Sequence, residues 1–186
     1  MKKITLLGDS IRQIGYGTKV PAMLGEDYSV YQPADNCRFA KYTLRGVLHE
    51  WKEDMAGSDI IHWNNGLWDI CDLGDGAFST EEEYVSNMVR IAKLLQQKAK
   101  VVIFATITPV TTDNPDCKNE RIRRYNEILV PVLKDMGILI NDLFGLVYPN
   151  IDTFIRKDDK IHLTDEGIDA CAKQVYDSIK EAEKLL

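Results

Sequence analysis

The chain has 186 residues, 28% of them charged and 45% hydrophobic, and a formal net charge of −6. That length suits one domain spanning 1–186 with a full hydrophobic core, and the acidic balance argues against a nucleic-acid partner, which would need a basic stripe. No apolar run approaches the length of a membrane span, and Met1-Lys2-Lys3 leads into a strand-like segment rather than a secretory signal, so a cytoplasmic location and no membrane partner are expected.

In chain order, Ile4 to Leu7 is an apolar β-type run ending in Gly8-Asp9-Ser10. Arg12 to Gly17 reads as a loop, and Thr18 to Leu24 as a short helix closed by Gly25. Asp27 to Gln32 has β-rich composition and is stopped by Pro33. Beyond Asn36-Cys37-Arg38-Phe39, residues Tyr42, Leu44, Val47, Leu48 and Trp51 follow a helical pattern, and Ser58 to Trp63 makes a third strand, broken at Asn64-Asn65-Gly66. Leu67 to Ser79 is too long for a minimal connection and is expected to be a binding loop. Thr80-Glu81-Glu82-Glu83 is a capping box before a helix whose Tyr84, Met88, Ile91, Ala92 and Leu95 recur at helical spacing. Val101 to Ile107 is uniformly apolar, as a central parallel strand buried on both faces should be. After a polar loop from Thr111 to Lys118, Asn119 to Met136 is helical, with Pro131 as a kink or break. Ile138 to Asn141 is a fifth strand, Leu143 to Val147 a helical turn, Pro149 to Lys160 a loop, and Thr164 caps a last helix. The cysteines Cys37, Cys71, Cys117 and Cys171 are scattered without a C-x-x-C pair, which fits reduced thiols rather than a disulfide framework or a metal site.

Strands alternating with helices predict an α/β protein, a three-layer α/β/α sandwich with a five-stranded parallel sheet of flavodoxin-like type. In such sheets ligands bind outside the carboxyl ends of the strands. Ser10, Asn36 to Arg38, Asn64, and Asp159 with His162 all fall on that rim. A serine, a histidine and an acid are the parts of a nucleophilic triad: Ser10 attacks, His162 takes its proton, and Asp159 holds the imidazole. Asp9 is expected to brace its turn. His62 either lines the site or is a satisfied histidine at a strand end, and Tyr16, Trp63 and Trp68 are either core aromatics or substrate contacts.

The chain resembles the SGNH hydrolases, also called the GDSL esterase family, over essentially its whole length. Gly8-Asp9-Ser10-Ile11-Arg12 resembles the first block, Asn64 within His62-Trp63-Asn64-Asn65 the third, and Asp159-Lys160-Ile161-His162 the last. The resemblance implies the SGNH fold and a serine esterase without cofactor, with Ser10, Asp159 and His162 as triad and with Ser10 N–H, a donor at Cys37 and the Asn64 amide as oxyanion hole. Two positions depart from the pattern. Asn36-Cys37-Arg38 lacks the second block's glycine, so the Cys37 N–H is expected to serve, and His62 and Asn65 replace a glycine and an aspartate in the third block. The expected substrate is a small-molecule or saccharide ester, an acetyl group on a carbohydrate, met by Trp63, Trp68 and Asp69. The alternatives are a lysophospholipase or thioesterase with the same triad, and a catalytically silent binding module on this fold.

Overall fold

A computed structural model describes residues 1–72 and 74–186. Leu73, inside the expected Leu67 to Ser79 loop, lies outside the described residues. Among these, five strands, β1 (Lys2–Leu7), β2 (Tyr28–Tyr31), β3 (Ser58–Asn64), β4 (Ala99–Ala105) and β5 (Leu139–Asn141), form one parallel sheet in the order β2-β1-β3-β4-β5. The chain steps from β1 outward to β2 and returns on the other side at β3, so the order reverses between β1 and β3. The crevice for a ligand opens at that switch point.

The helices are α1 (Val20–Leu24), α2 (Ala40–Leu48), α3 (Leu67–Ile70), α4 (Glu81–Gln96), α5 (Asn119–Asp135), α6 (Leu143–Val147), α7 (Ile151–Phe154) and α8 (Asp165–Ala182). On one face of the sheet α2, α4 and α5 pack side by side, while α1, α6 and α7 gather around α8 on the other. Both faces are therefore covered, which is why the middle strands are apolar throughout: Ile60, Ile61, Trp63 and Phe104 are all fully buried. The capping box forms as expected, with the Thr80 hydroxyl accepting from Glu83 N–H and the Glu83 carboxylate accepting from Thr80 N–H.

Several local expectations give way to longer-range forces. Arg12 to Gly17 is not a loop but a π-helical turn over Ile11–Gly15 followed by a 3-10 turn over Tyr16–Thr18. The Asp9 carbonyl accepts from Arg12 and Gln13 N–H and its carboxylate from Ile11 N–H, which winds the backbone without any apolar periodicity to betray it. Pro131 lies inside a continuous α5, because the buried stripe of Ile122, Tyr125, Leu129 and Leu133 outweighs one missing hydrogen bond. The expected Pro149 to Lys160 loop holds a 3-10 turn (Tyr148–Asn150) and α7, and the Leu67 to Ser79 segment opens with α3.

Cys71 and Cys117 are joined by a disulfide, which corrects the expectation of reduced thiols; Cys37 and Cys171 are free and buried. The two cysteines lie 46 residues apart, and only the meeting of the loops after the neighbouring strands β3 and β4 brings them together. Asp72 N–H donates to the Asp116 carbonyl across the same junction, and Arg121 bonds the Asp72 carboxylate. Closing so long a loop restricts the unfolded chain, so reduction is expected to lower stability by about 2–4 kcal/mol, measured by denaturant titration with and without a reductant. Among the described residues, no helix is long and apolar enough to cross a membrane.

Candidate active site

Ser10 stands just past β1, at the head of the π-helical turn, and its side chain makes no capping bond there. The segment beneath it is held from several directions. Asp9 is buried, and one of its carboxylate oxygens accepts from Ile11 N–H at 3.0 Å and from Asn64 Nδ2 at 2.9 Å. Burial pushes the Asp9 carboxyl up, against the pull of those two bonds. Asp9 thus braces its turn as expected. Arg12, 1% exposed, spends its guanidinium on the carbonyls of Gly8, Pro33 and Asp35 and so ties the tip of β1 to the chain beyond β2. Gly8 has no room for a side chain: a Cβ there would sit 2.0 Å from Asn64 Oδ1.

Asp159 and His162 come from one turn between α7 and α8. Lys160 adopts φ +65°, which folds Asp159 back so that its Oδ1 accepts from the N–H groups of Ile161 (3.0 Å) and His162 (2.9 Å). Its Oδ2 then meets His162 Nδ1 at 2.9 Å. This is the physical content of the D-x-x-H spacing, since a single turn places one carboxylate oxygen on the backbone and the other on the ring. Burial alone would raise the Asp159 carboxyl, but the two N–H groups and the imidazole outweigh it and hold it at about 2. The turn is anchored to the loop after β4, where Thr111 N–H and Asn114 Nδ2 both donate to the Lys160 carbonyl.

Ser10 and His162 line one cavity of about 470 Å³, with Ile14 and Ile168 as apolar wall and Arg156 and Thr164 as polar wall. Sequence positions more than 150 apart thus converge on the sheet's switch point. Among the described residues, no hydrogen bond joins Ser10 to His162; such bonds are often long before substrate binds.

The remaining expected residues separate into those the rim brings in and those it does not. Asn64, at the end of β3, is 5% exposed; its Oδ1 accepts from Tyr16 Oη at 2.6 Å, and Asp9 takes only one of its two Nδ2 hydrogens. Cys37 does not offer its N–H, which donates to the Gly8 carbonyl at 3.1 Å in the packing of this segment against β1. Its thiol is buried and pushed up to about 11 by that burial, too high for a nucleophile at neutral pH. The next residue, Arg38, holds φ +50°, the left-handed conformation usually left to glycine, and its N–H donates to Asn36 Oδ1.

Trp63 and Asp69 are corrected as substrate contacts. Trp63 is fully buried against Phe104, with its Nε1 donating to Asn65 Oδ1. Asp69 is fully buried, accepts from Ala40 N–H and Ser79 Oγ, and is raised to about 6 by burial, so it braces α2 against the loop. Trp68 is 45% exposed but outside the cavity lining. His62 is likewise not a wall of the site but a fully buried histidine, bonded to Asn141 and drawn down to about 3 by desolvation. Arg12 bonds Pro33 and Asp35, Tyr16 bonds Asn64 and Asn65 bonds Arg38, all 21 to 48 residues away in sequence, where no local pattern signals them.

No family model matches the sequence, and no curated protein gives a significant match. Solved structures do match over nearly the full length. A lipase/acylhydrolase from Enterococcus faecalis superposes with a TM-score of 0.78 at 22% identity, covering 97% of this chain and 96% of that one. An acetyl xylan esterase gives 0.76 at 19% identity, covering 95% and 99%. A catalytic mutant of an acetylxylan esterase from Geobacillus stearothermophilus gives 0.80 at 14% identity, covering 96% and 94%. With structures of G-D-S-L lipolytic proteins in the same set, the chain has the fold of the SGNH hydrolases.

Proposed function

We propose that the protein is a serine esterase of the SGNH type that hydrolyses a short-chain acyl ester, an acetyl group carried on a carbohydrate. The observation that carries this reading is that Ser10 and a histidine already oriented by Asp159 line one cavity at the switch point of the sheet. Ser10 Oγ attacks the ester carbonyl while His162 Nε2 takes its proton, and the same nitrogen returns a proton to the leaving alcohol. Water then attacks the acyl-serine with His162 again as base. The oxyanion is met by the Ser10 N–H and the spare Nδ2 hydrogen of Asn64, each worth about 3–4 kcal/mol in such a hole. Arg38 N–H supports a third donor better than Cys37, since only the Arg38 backbone adopts the glycine-like conformation and its bond to Asn36 is a local one.

The half-polar cavity supports a sugar ester: Arg156 and Thr164 suit hydroxyls, and Ile14 and Ile168 suit a C–H face or a short acyl group. The fold shared with acetyl xylan esterases points the same way. Trp68 is the one residue of the expected contact set still free to meet a substrate, from beyond the cavity. A lipid or thioester substrate is the second reading, favoured by Ile14, which stands 51% exposed beside the cavity. kcat/KM along acetyl, butyryl, octanoyl and palmitoyl esters is expected to be highest for acetyl; a rate rising with chain length overturns the acetyl assignment. A fluorophosphonate probe is expected to label Ser10, identified by peptide mass, and an unlabelled protein would support the silent binding module.

A further inference from the structure

A sheet interior is normally apolar, yet β3 buries His62 and Asn64 on the face that carries α8. Both are satisfied, and the bonds that satisfy them form one continuous series. Gln174 Nε2, on α8, donates to Asn141 Oδ1 at 2.7 Å and to the Asp142 carbonyl at 3.0 Å. A carbonyl only accepts, so the Gln174 nitrogen is identified by chemistry and Asn141 must turn its oxygen toward it. The Asn141 nitrogen then faces His62 Nε2 at 3.0 Å and donates to it, which leaves the proton of the neutral ring on Nδ1. Nδ1 lies 3.5 Å from Tyr16 Oη, so the phenol accepts there and gives its own hydrogen to Asn64 Oδ1 at 2.6 Å. The far end agrees independently. Asp9 Oδ1 accepts from Ile11 N–H, so the Asn64 atom beside it is the nitrogen. Every donor and acceptor in the series therefore points one way, from α8 toward the rim.

We propose that Gln174, Asn141, His62 and Tyr16 are positioning residues that lock the orientation of the Asn64 amide, so that its Nδ2 rather than its oxygen is presented to the oxyanion; this rests on the esterase reading above. A primary amide has nearly the same shape when flipped, and packing against Gly8 alone does not distinguish the two orientations. The flipped amide would place an oxygen where negative charge develops. The Tyr16 hydroxyl at the amide oxygen acts with the Asp9 carboxylate at the amide nitrogen to forbid the flip, and His62, kept neutral by burial, fixes which way that hydroxyl turns.

The test is a double-mutant cycle on purified protein with an acetyl ester. Tyr16→Phe is expected to lower kcat by about 10- to 100-fold, part of what a lost oxyanion donor costs, with KM within about twofold of wild type. In an Asn64→Ala background the same substitution is expected to cost nothing further, because no amide remains to be held. Equal losses in both backgrounds would show a merely structural tyrosine and overturn the proposal. Gln174→Met, at the half-buried far end, gives the same reading if Tyr16→Phe does not fold: a several-fold loss of kcat that vanishes in Asn64→Ala supports the relay, and an unchanged kcat overturns it. A wild-type protein without ester turnover overturns the esterase reading and this inference together. Turnover with full kcat in Tyr16→Phe overturns the relay alone.

Discussion

Ser10→Ala is expected to reduce kcat/KM by about 10⁵- to 10⁶-fold while leaving the unfolding midpoint within about 2 °C of the wild type. The two halves of this expectation have separate causes. Under the proposed mechanism the Ser10 hydroxyl forms the acyl intermediate, and without it His162 would have no nucleophile to deprotonate. Its removal costs the fold little, because Ser10 makes no capping bond through its side chain and the turn is held by Asp9, Arg12 and backbone bonds instead. Ester hydrolysis and thermal melts on the same preparation check both halves. Retention of more than about 1% of wild-type kcat/KM removes Ser10 as nucleophile.

The second large effect is expected at Asp159→Asn, with kcat lower by about 10³- to 10⁴-fold. The oxygen that accepts from Ile161 and His162 N–H must remain an oxygen, so the new amide turns its nitrogen toward His162 Nδ1. A donor facing Nδ1 forces the ring to carry its proton on Nε2, the atom that accepts from Ser10 in the proposed mechanism. The imidazole stays in place in the wrong tautomer. In the wild type the Asp159 carboxyl is held at about 2, so a loss of activity on mild acidification is not expected to come from its protonation. The sign for stability follows from the lowered folded-state value: the contribution of Asp159 is present above its unfolded range and fades as pH falls toward 2. A pH–rate profile of Asp159→Asn is expected to show a lowered plateau across the whole range.

The parts of this structure that were legible in the sequence are those encoded locally. The Thr80 capping box and the 3.6-residue stripe of α4 each need only a few neighbouring residues and form as read, while the apolar run from Val101 belongs to a strand that begins two residues earlier, at Ala99. The five-stranded parallel sheet followed from alternation of strands and helices together with general rules of connection. What was not legible depends on pairs far apart in the chain. Whether the Cys37 N–H is free is decided by Gly8, and whether two cysteines pair is decided by where the loops after β3 and β4 end. Trp63 looked like a rim aromatic because a strand covered on both faces gives no alternation to say which side chains face outward. Arg12 read as an ordinary loop arginine, since a buried guanidinium is recognisable only from the three carbonyls that surround it.

The buried arginine also sets a mechanical asymmetry across the cleft. On the Ser10 side, Arg12, Asp9, Asn64 and Gly8 are bonded or packed into one block continuous with β1 and β3, with almost no access to water. On the opposite side, the side chains of Asp159 and His162 keep about a third of their surface in solvent, on a turn held at its crest by the Thr111 to Asn114 segment. That segment is itself moored through Asn114 to Cys117 and the disulfide. Under the proposed mechanism, the Ser10–His162 bond is expected to form by movement of the histidine toward the serine. Slower amide exchange is expected for residues 8–12 than for residues 156–162, a difference that hydrogen-exchange measurements on the free protein check.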